Sequence, residues 1–382
     1  MQKRIRIVSV GIVLVILLIG IIIYYNNSNN KYSFTQDGIR YALTLDGNKI
    51  TSFPSKGMYK AQVTCVGADG KWLYDEWKLA IENITSDDVI CDIKFETIPK
   101  TNLNDYIISL LESEQGIGKV VNENGYRYEG KNPNNYIWFN NEYWRIIGVF
   151  DSASHGQNGK NLVKIIRSDV LDGLAWDKSN TNDWTASSLK SLLNGAYYNA
   201  QDGTNSGYCI GNADSATIIS NCNYTKKGIQ AGYRGMIANV TWYLGGYSSI
   251  ETTTDAFYGY ERGTIVYSGR PTSTTGYIGL MYPSDYGYSV LSSSCARTTK
   301  LGSYNTATCA GQSWLYGKGY EWTLTPRSSN SLFVFYLSNF GYMTYGNVYV
   351  GNGSRPVLYL DASVYKIDGD GSLENPYIVG MW

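Results

Sequence analysis

Residues 136–150, YIWFNNEYWRIIGVF, carry two aromatic-rich runs on either side of Asn140-Asn141. Paired asparagines accept the left-handed backbone of a two-residue turn, so the stretch reads as a β-hairpin. Downstream, NLVKIIRSDV (161–170) continues a meander after the loop DSASHGQNGK (151–160). The C-terminal quarter returns to strands in EWTLTP (321–326), in RPVLYL (355–360) and in LFVFYLSNFGYMTYGNVYV (332–350), which bends at Gly341 or Gly346. Two helical stretches interrupt them. In NDWTASSLKSLLNG (182–195), Asp183 or Thr185 serves as cap, Leu189, Leu192 and Leu193 form a buried stripe, and Gly195 ends the helix. The second is TTTDAFYGYERG (252–263). Many short strands, few helices and long Gly/Ser/Tyr loops give an α+β class for residues 119–382.

Toward the N-terminus, residues 99–118 place Leu103, Tyr106, Ile107, Leu110 and Leu111 at helical spacing, with Asn102 or Asn104 as N-cap and Gly116 as C-cap. This segment reads as a helical connector. Before it, residues 31–98 read as a small β-sandwich-like module. IRYALTLDGNKI turns at Asp46-Gly47-Asn48, and YKAQVTC, WKLAIENI and VICDIKFETI each alternate with period two.

Residues 1–30 are different in kind. Ile7 to Tyr25 is a run of 19 uncharged residues, close to the roughly 20 that span a bilayer core. Lys3, Arg4 and Arg6 precede it. The positive-inside rule then puts the N-terminus in the cytoplasm and the bulk of the chain outside. The alternative is a cleaved signal peptide, but the run is long and no small-x-small site follows it. Residues 7–25 are accordingly read as a single-pass signal-anchor, and the membrane as the first partner.

Composition narrows the function. Removing Lys3, Arg4 and Arg6 from a balance of 32 basic and 32 acidic residues leaves the rest of the chain at −3, which argues against nucleic acid as a partner. The 35 tyrosines supply amphipathic contact area at low rotamer cost, as in proteins that touch other molecules. Six cysteines fall into sequence-local sets, Cys65 with Cys91, Cys209 with Cys222 and Cys295 with Cys309. Their clustering favours three structural disulfides, although sequence alone leaves other connectivities and free buried thiols open. One histidine is too few for a Cys/His zinc site.

No constellation of residues demands catalysis. His155 lies in a Gly/Ser/Asn loop, where an exposed polar side chain is the default. Asp169, Asp172, Asp177 and Asp183 cluster in one block, but Asp172-Gly173 reads as a turn and Asp183 as a helix cap. Cys295, two residues from Arg297, is the one cysteine with a hint of thiolate stabilisation. Trp138, Trp144, Trp176, Trp184, Trp242, Trp314 and Trp322 offer stacking surfaces, with core packing the more frequent role. Exposed tyrosines are expected in 267–289, 313–322 and 341–350. The stretch IDGDGSLENPYIV (367–379) imitates a calcium loop, yet counting from Asp368 puts Ser372 and Leu373 where a ligand and the obligatory glycine belong. It reads as a turn, and no metal or cofactor is assigned.

Four landmarks, RYEGKNPNNYIWFNNEYWRIIGV, the LVKIIRSDVL to NDWTASSLKSLLN block, EWTLTP and SRPVLYLDASVYKIDGDGSLENPYIV, resemble a family of uncharacterised extracellular domains of Gram-positive gut bacteria. That family looks like the C-type-lectin and formylglycine-generating-enzyme fold group, and the resemblance covers residues 126–379. It implies a C-type-lectin-like α+β domain at 119–382, preceded by a β-module of a kind often found ahead of it. Formylglycine-generating enzymes use a close pair of reactive cysteines, which the spacing here does not reproduce. The resulting expectation is a membrane-anchored bacterial surface protein that recognises or adheres to a glycan or protein without catalysis. The alternatives are an envelope-acting enzyme, either a carbohydrate hydrolase or an oxidase relative, and a structural envelope component.

Overall fold

A computed structural model describes residues 33–74, 76–212, 220–317 and 319–381. The expected anchor at 7–25 lies outside them. Among the described residues no helix is long and apolar enough to cross a membrane. The chain divides after Pro99 into two compact units, Met1–Pro99 and Lys100–Trp382. Both are rich in β-structure and contain mixed sheets, so the chain is a β-rich α+β protein.

In the first unit the strand Ile39–Leu45 pairs in parallel with Val89–Thr97, which pairs antiparallel with Tyr59–Val66. Asp46 and Gly47 both take positive φ at the turn into Asn48–Lys49, the conformation this dipeptide was expected to supply. A separate hairpin, Asp69–Leu73 with Lys78–Glu82, brings Trp72 edge-on against Phe95 at 4.9 Å, and these rings with Leu43, Val89 and Ile93 form the core. Cys65 and Cys91 are bonded and stand directly opposite each other in register. The bridge therefore joins neighbouring strands of one sheet and does not tie two sheets together.

The second unit is organised by the hairpin at 136–150. Tyr136–Phe139 and Glu142–Phe150 pair antiparallel about Asn140 and Asn141, both at positive φ. Glu142–Phe150 is central in a nine-stranded sheet, flanked by Leu162–Arg167 and then Val357–Leu360. Residues Trp144 to Phe150 are all buried, so the strand is covered on both faces and does not alternate. A bulge between Ile146 and Gly148 lets Tyr126–Asn132 join the same strand. Gly148 is required there, because a Cβ would collide with the Tyr126 carbonyl. The closing stretch 367–379 is a turn between Tyr365–Asp368 and Tyr377–Gly380, and the last strand lies parallel to Tyr136–Phe139.

Several local expectations change. The helix at 103–109 ends at Leu110, well before Gly116, and Leu103 and Ile107 enter the main core, so it belongs to the large unit. Asp183 caps a 3-10 turn, Trp184–Ala186, while Ser187 caps the helix Ser188–Leu192, which runs on as a π-helix through Gly195 to Tyr197. Asp172-Gly173 is an irregularity inside the strand Leu171–Ala175, where the register shifts, and is not a turn. Of the two glycines proposed for the bend at 332–350, Gly341 takes it, with φ 93°, and Gly346 lies within the strand Met343–Asn347.

The largest revision concerns tyrosine. The 267–289 stretch was expected to expose its rings, yet Tyr282, Tyr286 and Tyr288 are buried around an unforeseen helix, Pro283–Ser289. The tyrosines at the other two stretches are half-buried or exposed.

Candidate functional site

The second sheet of the large unit runs Leu171–Ala175, Gly351–Ser354, Glu321–Pro326, Phe333–Leu337, Met343–Asn347. Its middle strand is fixed by indoles. Trp322 Nε1 donates to the Leu174 carbonyl at 2.8 Å, and Trp176 Nε1 donates to the Thr323 carbonyl at 3.1 Å. Trp322 stands opposite Tyr336 in register, their rings perpendicular at 5.8 Å, and Tyr320 closes the group at 5.9 Å from Tyr336. Trp322 is buried, Tyr336 half-buried and Tyr320 46% exposed, so the rings grade from floor to rim.

These rings border a hollow of about 370 Å³, completed by Gly346, Asn347, Val350, Gly351 and Asn352. Gly346 keeps it open, since a Cβ there would come within 2.7 Å of the Tyr336 ring. Asn347 Oδ1 is buried and has no hydrogen-bond partner among the described residues. Asn347 follows Gly346 on the strand and pairs with Phe333, so its side chain turns to the face opposite Tyr336 and its Oδ1 is closed to the hollow. Burial, together with Tyr342 and Tyr320, raises the Tyr336 hydroxyl above its usual range. It stays a neutral donor and acceptor at physiological pH. The described lining carries no charged side chain. Aromatic faces beside amide groups suit an uncharged ligand with alternating apolar and hydroxylated surfaces.

The remaining sequence candidates are structural. His155 is buried, not exposed: Nε2 faces the Phe150 carbonyl at 3.1 Å, Nδ1 accepts from Gln157 N at 3.1 Å, and burial lowers its basicity. A neutral ring with both nitrogens engaged by backbone is a strut for the loop that follows the hairpin. Asp177 is buried and accepts from Ser179, Thr181 and Ser188, while Asp169 and Asp172 stay exposed and apart from it in role. All six cysteines are bonded, Cys209 to Cys222, Cys295 to Cys309 and Cys65 to Cys91. Arg297 serves Glu123 and Glu129, each at 2.6 Å, in place of a thiolate. Among the described residues no group of three or more His, Cys, Asp or Glu is placed to hold a metal ion, and the 368–375 turn is closed by its own backbone and by Asp370, which accepts from Ser372 N.

The strongest electrostatic feature lies elsewhere. Asp285, at 0% side-chain exposure, meets Lys164 Nζ at 2.5 Å and Arg127 Nη1 at 3.1 Å. Lys164 is ringed by Phe150, Trp242, Tyr282 and Tyr359. Burial drives Lys164 down to about 8. Burial would raise Asp285, but its two cations hold it low. Beside them burial pushes Glu261 up to about 7, against the opposing pull of Arg262 and of the Ser284 hydrogen bonds. Perturbed groups often mark active sites. Here they do not line the Tyr336 hollow, and they fasten the helices Thr254–Glu261 and Pro283–Ser289 to the central sheet.

A pH effect follows. Folded Glu261 keeps its proton up to about pH 7, whereas the unfolded chain releases it near 4.5. Between those values the folded state binds more protons, so stability falls as pH rises, by roughly 3 kcal/mol for this group. Glu261→Gln, which keeps an acceptor for Ser284 N, should flatten that slope in denaturant melts taken from pH 4.5 to 7. An unchanged slope would rule the group out as its source.

Comparison with family models, with curated proteins and with solved structures gives no match for this chain.

Tyr320 and Trp322 lie in a stretch singled out from sequence for aromatic contact, but Tyr336, Asn347 and Asn352 were not anticipated. Tyr336 is the lone polar-tipped ring in FVFYL, and only its pairing opposite Trp322 gives that position meaning.

Proposed function

We propose that the large unit is a recognition module that binds a neutral glycan without catalysis and is displayed outside the cell by the expected anchor at 7–25. The observation that carries this reading is the hollow of Tyr320, Trp322 and Tyr336, with Asn352 and no charged side chain in its described lining. Ring faces take the apolar faces of sugars and amides take their hydroxyls, while an uncharged lining gives a charged ligand no counterpart. Three disulfides fit the oxidising side of a membrane. The kinship with the C-type-lectin and formylglycine-generating group is part of this proposal.

An enzyme reading has less support. The oxidase chemistry of that group uses reactive cysteines, and all six here are bonded to one another. A glycosidase requires two facing carboxyl groups, and the described lining of the hollow contributes none.

The full-length chain in a sugar-free detergent, applied to immobilised glycans, should retain a neutral glycan. Tyr336→Ala and Tyr320→Ala should each weaken that binding at least about tenfold, equivalent to roughly 1.4 kcal/mol. Folded protein that retains no glycan would sink the proposal.

A further inference from the structure

We propose that the ligand is a polysaccharide chain, several sugar units of which lie along an aromatic track leading from the Tyr336 hollow to a second hollow. This rests on the glycan reading above. The second hollow, about 710 Å³, is lined by Trp314, Tyr316, Gln312, Thr306, Asn339 and Lys131 among others. It shares aromatic rings with the first and adds the polar side chains of Gln312, Thr306 and Asn339 and the charge of Lys131.

Two chain segments tie the hollows together. Tyr316 and Tyr320 are four residues apart, and Tyr336 and Asn339 are three apart. Extended chain covers about 3.5 Å per residue, so these tethers hold the lining residues within roughly 14 Å and 11 Å of one another.

The surface between them is aromatic. Tyr336 pairs with Thr344 in register, and the Ser338 amide donates to the Tyr342 carbonyl. Side chains two residues apart on a strand share a face, so Tyr336, Tyr342 and Gly346 point to the same side. Tyr342 is parallel to Phe340, with ring centroids 6.2 Å apart and planes at 6°. Phe340 is 58% exposed at the hairpin tip, directly after Asn339. More than half of the Phe340 surface stays open beyond its contact with Tyr342.

The track is also rigid. Tyr316 Oη donates to the Asn339 carbonyl at 2.5 Å, Tyr286 Oη donates to the Gly341 carbonyl at 2.6 Å, and Ser338 Oγ accepts from the amides of Phe340 and Tyr342. A surface fixed before binding loses less entropy when a chain settles on it. A row of rings matches a ligand that repeats the same apolar face along its length. A single small ligand would use one hollow and leave Phe340 idle.

Calorimetry of the full-length chain in a sugar-free detergent tests this, with gluco-, chito-, xylo- and manno-oligosaccharides from one to six units as probes. For the series that binds, Kd should fall at least tenfold between the shortest oligomer bound and the hexamer. Phe340→Ala should remove most of that gain and leave the shortest oligomer's Kd within about twofold. Tyr320→Ala should weaken every length. Affinity independent of length, or a length gain untouched by Phe340→Ala, overturns the chain proposal and leaves the single-hollow reading standing. Failure of every oligomer to bind, including the case where only a protein ligand is retained, overturns both.

Discussion

Asp285→Ala should destabilise the large unit by about 3–5 kcal/mol, the usual cost of removing one partner from a buried ion cluster. Among the described residues Asp285 is the single carboxylate that meets both Lys164 and Arg127, and all three side chains are at or near zero exposure. It also accepts from the Tyr282 amide at 2.9 Å, holding the first turn of the Pro283–Ser289 helix. Its loss therefore leaves two cations without a counter-charge and one amide without an acceptor. Lys164→Met should cost less, because Asp285 then keeps Arg127 and the vacated space is lined by rings that accept an apolar side chain. Urea denaturation of the three proteins checks the order. Asp285→Ala at or above the stability of Lys164→Met would show that the cluster does not hold the helices to the sheet.

Reduction of the disulfides should have a comparable effect on the same unit. The bridges Cys209–Cys222 and Cys295–Cys309 close loops with sequence separations of 13 and 14. Loop-closure entropy gives roughly 3 kcal/mol for each, so losing both removes about 6 kcal/mol from a typical total of about 5–15. For a unit of this size that predicts a fall in Tm of roughly 12–24 °C. The four cysteines of these bridges all belong to the buried core of the large unit. Reduction should thus open loops and loosen the core behind them. Replacing Cys65 and Cys91 instead should leave the large unit's transition unchanged, since that bridge belongs to the other compact unit. Calorimetric scans with and without reductant decide this, and a shift under about 3 °C in the large unit would contradict it.

The disulfides and the Asp285 cluster differ in how far apart their partners lie along the chain. The disulfides were legible as sequence neighbours, because closing a loop of a dozen residues is a local event with a modest entropy cost. The Asp285 cluster was not. Asp285 sits in a stretch expected to be a tyrosine-bearing loop, and its partners are 121 and 158 positions away. His155 failed in the same way: a Gly/Ser/Asn loop suggested exposure, but the loop folds back so that Phe150 and Gln157 enclose the ring.

The ligand site is divided between these levels. The aromatic stretches 313–322 and 341–350 were visible as contact material. Which rings face outward depended on strand register, which sets Tyr336 opposite Trp322 and leaves Gly346 as the gap beside it. Trp144, Trp176, Trp184 and Trp242 all went to the core, as their positions within strands and helices favour.

Sequence by itself determined the hairpins at Asp46-Gly47 and Asn140-Asn141, the β-rich α+β class and the closing turn at 368–371. Each follows from residues within a few positions of one another, where backbone preference and side-chain period act directly. Only the tertiary structure decided that Tyr282, Tyr286 and Tyr288 are interior, that Lys164 and Asp285 share one buried site, and that Tyr320, Tyr336 and Asn347 border one hollow. Those outcomes depend on how distant strands pair and on which faces the packed layers cover, and a shift of one residue in register would reverse them.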